Sequence, residues 1–407
     1  MLSEGDPFAY NPFDAAYDRD PYPTYERMRR EHPVYFWPAA NAFLLSRHED
    51  VNRALLDPRM STSFLEWDFL RPRMALIQGT SAHRLLASAL LNLSPADHAR
   101  IRKLTNPVFT PRSVERLRSV VQHEVDALLS GVGTGDTFDI VSGLAEPFPR
   151  RALELLLGIP RERTGELQQF GTAVSDLLFP WLSDAEFAEH IACIERNVRF
   201  FEALIEERRK APGDDLLSAL VCTEDLGEKL SLDELLAFIA ALVTGGMETT
   251  IHALCFAVYD LLRHPDQAKL LRDDPSLFKN AFDETLRFNN FGKLGVLRFP
   301  TEDMEIQGVT IGKGQCVYAM LGSALRDPDA FPNPDVFDIR RDQSKNLTFG
   351  LGPRYCVGAA VARLEAQVAL TTLLTRFPNM RLASEPVFQV LHPFMRKMSS
   401  LPVKVHG

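Results

Sequence analysis

Cys356 has the surroundings of a reactive residue. It lies in Phe349-Gly350-Leu351-Gly352-Pro353-Arg354-Tyr355-Cys356-Val357-Gly358. Three glycines in so short a run make a tight loop whose backbone enters conformations other residues avoid. A helical pattern begins just after the cysteine, so N–H groups and the helix dipole favour negative charge at the sulfur. Arg354, two residues earlier, adds positive charge. These effects predict a thiol pKa lowered toward thiolate. Ala359, Ala360 and Ala362 are small and let a flat cofactor approach the helix closely. A lone cysteine is more often a buried structural residue, but few structural roles need this combination of glycines, arginine and cysteine.

Four further constellations stand out. Gly245-Gly246-Met247-Glu248-Thr249-Thr250 interrupts a long apolar helical pattern. Two glycines inside a helix cost about 1 kcal/mol each relative to alanine, which suggests a kink or a close approach. An acid followed by a hydroxyl at a kink suits proton relay into a closed apolar site. Alone, the same residues fit a helix defect in which Thr249 bonds back to a carbonyl one turn earlier. Glu284 and Arg287 are spaced to pair on one helix face, as surface charges commonly do. His98 and Arg102 also share a face, and alone would read as a surface pair. Arg298 lies in Gly295-Val-Leu-Arg298-Phe.

Taken together, these segments resemble the cytochrome P-450 family. The cysteine loop fills every fixed position of that family's haem signature, Phe-x-x-Gly-x-(His or Arg)-x-Cys-x-Gly. Glu284-Thr-Leu-Arg287 is similar to its Glu-x-x-Arg, and Gly245 to Thr249 to its oxygen-activation motif. The resemblance runs from Pro21-Tyr-Pro to Ser400-Leu-Pro-Val403. It implies a mostly α (α+β) fold, a triangular prism of helices with small β-sheets around a buried haem b, as a single domain over residues 1–407. It implies Cys356 as the thiolate ligand to iron, a ligand type that favours O–O cleavage. Phe349, Gly350, Gly358 and Gly245 would frame the cofactor, and His98, Arg102, Arg298 and Arg354 would hold its propionates, since buried carboxylates need such partners. Glu248 and Thr249 would be catalytic, delivering protons to bound O2. Glu284 and Arg287 would form a structural ion-pair network joined by Arg340. Asn346 departs from the pattern, standing where many bacterial members carry a propionate-binding His. Leu325 stands where Asn is frequent.

The bulk composition agrees. The chain has 407 residues, 45% of them hydrophobic and 24% charged, with ample apolar material to enclose a bulky cofactor. A net charge of -9 and a pI near 5.7 argue against nucleic acid as the main partner. The odd count of five scattered cysteines fits neither a disulfide scaffold nor a Cys-x-x-Cys zinc site. A reducing cytoplasm is the simplest setting. No signal peptide or membrane anchor is visible in the pattern, and a monomer is expected.

Elements must position these groups. Residues 1–30 should lie over the surface before a short helix at Tyr22–His32. Val34–Phe36 and Ala42–Leu45 read as a hairpin. Asp97 is the expected cap of the helix carrying His98 and Arg102. Ser231 and Glu234 form a capping-box pattern opening one long interior helix through Arg263. Short β-prone runs follow at Met304–Ile306, Val309–Ile311 and Gln315–Tyr318, and the last helix is Gly358–Arg376.

No flavin or nicotinamide fingerprint is visible, so electrons should arrive from a ferredoxin and its reductase. Arg100, Lys103, Arg112 and Arg363 are candidates for a docking patch, or ordinary solvated charges. The substrate pocket should draw on Phe64–Leu93, on Phe170–Ala188 with Phe170, Leu177, Leu178 and Phe179, on Ala240–Thr244, on Gly292–Val296 and on Met398. Mixed charges there single out no ionic substrate, so a bulky lipophilic one is expected: terpenoid, steroid, polyketide macrocycle or fatty acid, hydroxylated or epoxidised. Two rival readings are a peroxide-driven fatty-acid peroxygenase, which the Glu248-Thr249 pair argues against, and a non-catalytic haem-binding protein.

Overall fold

The computed structural model describes residues 8–68, 70–160, 163–177, 182–225, 227–389 and 394–405. Helices dominate, and the strands form small sheets set apart from them. The largest sheet has five strands in the order Val34–Trp37, Ala42–Leu45, Cys316–Ala319, Val296–Pro300, Met60–Ser61. Its hairpin turns at Asn41, which takes a left-handed φ of 47°, a conformation Asn tolerates. Cys316–Ala319 pairs in parallel with Ala42–Leu45 and antiparallel with Val296–Pro300, with Val317 opposite Arg298. That register fixes which face of the sheet carries Arg298.

The long interior helix is two helices. Ser231 accepts from the Glu234 backbone amide and the Glu234 carboxylate accepts from Ser231 N–H, closing the expected capping box. Leu232–Gly246 then runs nearly wholly buried from Leu235 to Ala240. Met247, at φ −88° and ψ −74°, separates it from Glu248–Arg263. The break falls one residue after the glycine pair. By length and composition the stretch Leu232–Arg263 is apolar enough to cross a membrane, and 61% of its most apolar window is buried inside the protein. Its hydrophobicity is therefore spent on the core: Phe238 and Phe256 are both buried, each side chain contributing about 1.5–3 kcal/mol.

Several boundaries differ from expectation for local reasons. The helix carrying His98 is Pro95–Thr105, and Ser94, not Asp97, caps it: the Ser94 hydroxyl accepts from Asp97 N–H at 3.1 Å. Pro95 at the first helical position suits this arrangement. The first thirty residues do not merely cover the surface. Phe8, Tyr10, Tyr17 and Tyr25 are buried, and the Tyr10 and Tyr17 hydroxyls both donate to the Lys293 carbonyl, at 3.1 and 3.3 Å. Aromatic rings with one polar tip pack inward once that tip has a partner.

Glu284 and Arg287 lie on the helix Phe278–Phe288, both with fully buried side chains, paired at 2.7 and 2.9 Å. Arg287 also donates to the carbonyls of Leu325, Pro334 and Val336. Glu284 accepts further from Asp338 N–H, Gln343 and Arg341. Arg341, not Arg340, thus completes the network. The Arg340 side chain is exposed, and its backbone amide donates to Asp338. Leu325 serves through its carbonyl, which any residue supplies.

Removing one member of a buried, hydrogen-bonded pair strands the other charge. Arg287→Leu is therefore expected to destabilise the fold by about 3–5 kcal/mol, read as a lowered denaturation midpoint with loss of bound haem.

Candidate active site

The loop before Cys356 is shaped by glycine. Gly350 and Gly352 take φ of 73° and 61°, where other residues are strained. The turn brings Cys356 N–H to the Phe349 carbonyl at 2.8 Å. Gly358 precedes the helix Ala359–Arg376, and a Cβ there would stand 4.0 Å from the Cys356 sulfur. The Arg363 guanidinium lies 4.4 Å from the centre of the Phe349 ring, holding that ring against the helix.

The sulfur is accessible at the surface of this loop, yet closely enclosed by protein. That burial raises the thiol pKa; hydrogen bonds from the Gly358 and Ala359 amides and the nearby Arg102 and Arg363 oppose it. The net shift is upward, opposite to the sequence expectation. Helix-terminal amides and nearby positive charge oppose the rise as expected, but the charges are Arg102 and Arg363 rather than Arg354, and desolvation outweighs them. A metal ion reverses this balance, because a coordinated thiol is deprotonated outright.

His98, Arg102, Arg298 and Arg354 come together from three separate regions of the chain. Burial, then Arg354 and Arg102, push His98 down to about 4. Burial, then Arg354, pushes Arg298 down to about 10. Burial lowers Arg102, which also feels Cys356, and lowers Arg354. Arg298 donates to the Ala54 and Leu297 carbonyls, and Arg354 to those of Leu90 and Leu93. Among the described residues no carboxylate pairs with any of the four. Asn346 is not of this group: its amide donates to the Asp283 carbonyl and to Gln343, and its oxygen accepts from Thr348. The loop has used it internally.

On the central helix, a Cβ added at Gly245 or Gly246 would meet nothing within 4 Å. The glycines therefore border open space within the molecule. The Thr249 hydroxyl donates back to the Gly245 carbonyl, the bond a helix defect would make, and so carries its oxygen on the same glycine face. Glu248 turns elsewhere. Its carboxylate accepts from Lys397 Nζ at 2.8 Å. Sequence reasoning missed Lys397, which belongs to no motif and lies far along the chain.

The candidate substrate and docking groups sort differently. Phe170 and Leu177 are core residues at 1% exposure; Leu178 and Phe179 lie outside the described residues. Met398 is buried and lines a polar cavity behind the central helix. Thr244 bonds to the Ala240 carbonyl at 2.9 Å. Arg100 is paired with Glu234, and Arg363 with Asp283 at 2.9 Å. Lys103 and Arg112 are exposed.

Comparison with known proteins decides the family. The cytochrome P450 family model matches residues 42–385. The chain belongs to the cytochrome P450 family. It is 39% identical over 400 residues to the epothilone C/D epoxidase of Sorangium cellulosum, covering 97% of this chain and 95% of that protein. It is 35% identical over 393 residues to the cytochrome P450 monooxygenase PikC of Streptomyces venezuelae, covering 95% and 91%. Its fold superimposes on the crystal structure of epothilone D-bound cytochrome P450epoK with a TM-score of 0.90 at 36% identity, covering 98% of this chain and 100% of that one. The P450 is thus a haem monooxygenase acting with O2 and redox partners on a small molecule, and its mostly helical fold with small sheets is the family's. The donor set fits the cofactor. Three buried or half-buried arginines and the neutral donor His98, with no carboxylate paired to them among the described residues, suit two propionates, and the open glycine face suits a flat ring system.

His98 makes the haem-free protein acid-sensitive. The folded chain keeps His98 neutral down to about pH 4, whereas the unfolded chain protonates it near its ordinary 6.5. Between those values the unfolded state binds more protons, so stability falls as pH drops through that window. Urea midpoints measured between pH 7 and 4 should show this slope, and His98→Gln should flatten it.

Proposed function

We propose that this P450 oxidises a bulky polyketide-type secondary metabolite, inserting one oxygen atom by epoxidation or hydroxylation, with electrons from a ferredoxin and its reductase. Cys356 would hold haem through its thiolate and His98, Arg102, Arg298 and Arg354 would hold its propionates; the group would supply the oxidising chemistry. The observation that supports the site assignment is the cluster of Arg102, Arg298 and Arg354 with neutral His98, close to the Cys356 loop and without a paired carboxylate among the described residues. Phe349, Gly350, Gly358 and Gly245 border the cofactor. Thr249 holds a hydroxyl at the open glycine face and Glu248 supplies protons to it, which disfavours a peroxide-driven reaction needing no such supply and a merely haem-binding role.

The substrate class rests on similarity along nearly the whole chain to a protein named for epoxidising epothilones. Lys103 and Arg112 offer an exposed basic surface to an acidic redox protein. The remaining expectations, one domain over residues 1–407 acting as a cytoplasmic monomer, belong to the same reading.

Two measurements test it. Cys356→Ser should abolish the thiolate-type absorption of the reduced carbon monoxide complex; its retention would remove Cys356 from the iron. Optical titration of the ferric protein should give a shift of the haem absorption to shorter wavelength with macrolides and none with saturated fatty acids. The reverse ranking would reject the polyketide assignment.

A further inference from the structure

The chain leaves the helix Phe278–Phe288 and bends at Lys293 and Leu294 before it enters the strand Val296–Pro300, which carries Arg298. Gly295 fixes the downstream side of the bend. It takes a φ of 78°, and a Cβ there would stand 1.9 Å from the Ala319 carbonyl oxygen, which excludes a side chain. Leu294 is fully buried and shares an apolar cluster with Ala240 and Val243 of the central helix. The bend therefore links the strand of Arg298 to packing beside the central helix.

Lys293 is held by a different part of the molecule. Its side chain is 0% exposed and pairs with Asp18, at 1%. Its ammonium also donates to the Pro12 carbonyl at 2.9 Å. Its own carbonyl accepts from the hydroxyls of Tyr10, Tyr17 and Tyr25, at 3.1, 3.3 and 3.3 Å. Its amide donates to the Phe394 carbonyl at 2.8 Å, and the Arg396 amide donates to the Phe291 carbonyl at 2.7 Å. Gly292 bridges to Met395 between these two bonds. The N-terminal segment thus grips Lys293 by its side chain and carbonyl. The stretch leading into the strand Lys397–Ser400 grips it by its amide. Burial raises the pKa of Asp18 and lowers that of Lys293, and their pairing opposes both shifts.

A buried ion pair is a poor source of stability, because desolvation consumes much of the attraction and apolar side chains of similar volume often do as well. Its best-attested use is to fix one arrangement of the chain among several. We propose that the Asp18–Lys293 pair sets the position of the pocket wall Gly292–Val296, and so determines which bulky lipophilic substrates the pocket accepts. The inference rests on the reading, given above, of Gly292–Val296 as a wall of that pocket. Asp18 and Lys293 are positioning residues and touch neither substrate nor haem. They hold the wall from outside, and Leu294, the next residue along, presents its side chain to the pocket.

The test uses two azoles that ligate ferric haem iron. Imidazole needs no pocket wall, whereas the aryl arms of econazole must press against one. Their dissociation constants are read by optical titration of the haem-loaded protein. The double variant Asp18→Leu/Lys293→Met replaces the pair by apolar side chains without stranding a charge. It should weaken econazole several-fold and leave imidazole unchanged, with haem content and the reduced carbon monoxide spectrum as in the wild type. Tyr10→Phe/Tyr17→Phe removes only hydroxyls, keeps the proposal testable if the first variant does not fold, and should weaken econazole in the same direction. Leu294→Ala tests the wall itself and should also weaken econazole alone. If Leu294→Ala changes the ratio of the two constants while the pair and tyrosine variants keep it, with or without a lowered melting temperature, the pair is merely structural and the proposal is overturned. Equal weakening of both azoles would place the disturbance at the haem and overturn it likewise. If Leu294→Ala keeps the wild-type ratio, the reading of Gly292–Val296 as a wall fails, and the proposal with it.

Discussion

Positive charge without a counter-ion is the condition around which this molecule is organised. His98, Arg102, Arg298 and Arg354 are brought from a helix, a central strand and the cysteine loop to within electrostatic reach of one another. Each loses hydration there, and the groups disfavour one another's charge. A protein folding for stability alone would place a carboxylate among them or leave them in water. The chain uses its acids elsewhere: Glu284 on Arg287 and Arg341, Asp283 on Arg363. The arrangement makes energetic sense when a dianionic cofactor belongs to the folded state, because its binding then adds to folding stability. Cys356 follows the same pattern: burial disfavours its thiolate, a balance that coordination to a metal ion would reverse.

The central helix solves a second problem. It must be apolar enough to cross the core, yet place a hydroxyl and a carboxylate beside a reaction that excludes bulk water. The break at Met247 permits both. Gly245 and Thr249 keep the open face, while Glu248 begins a new helix and swings to the polar cavity. A straight helix would hold residues 248 and 249 in fixed relation, with the acid's direction set by helical geometry alone. Here the ion pair with Lys397 sets it.

Much of this was legible in the sequence because it is local. The capping box at Ser231, the glycine loop at Phe349–Gly358, and the pairing of Glu284 with Arg287 each depend on residues a few positions apart, where spacing dictates geometry. What was not legible depends on distance along the chain or on the balance of opposed terms. Ser94 and Asp97 both satisfy the composition of a cap, and only the backbone decides between them. Arg340 and Arg341 are adjacent and chemically identical, so the pattern could not tell which faces Glu284. Lys397 has no signal at all before folding brings it to Glu248. The Cys356 thiol shows the other limit. The amides just after the cysteine can be named from the sequence, but Arg102 and Arg363 come near the sulfur only on folding, and the desolvation that outweighs them all is a property of the packed interior.

The C-terminal strand ties these features together through simple alternation. Successive residues of an extended chain point to opposite sides. Arg396, with its side chain fully buried, donates to the Asp18 and Arg19 carbonyls and to Asn289, and packs 4.8 Å from the Phe256 ring centre. Lys397, the next residue, reaches the other way to Glu248. The residue leading into the strand Lys397–Ser400 is thus tied to the N-terminal segment, and the strand's first residue is tied to Glu248. The tie to the N-terminal segment is itself reinforced, since Asp18 pairs with the buried Lys293, whose carbonyl receives the Tyr10 and Tyr17 hydroxyls. Removing one buried charge from such a set costs far more than an exposed pair would. Tyr10, Tyr17 and Asp18 are in this way packed into the same buried network as Arg396 and Lys293.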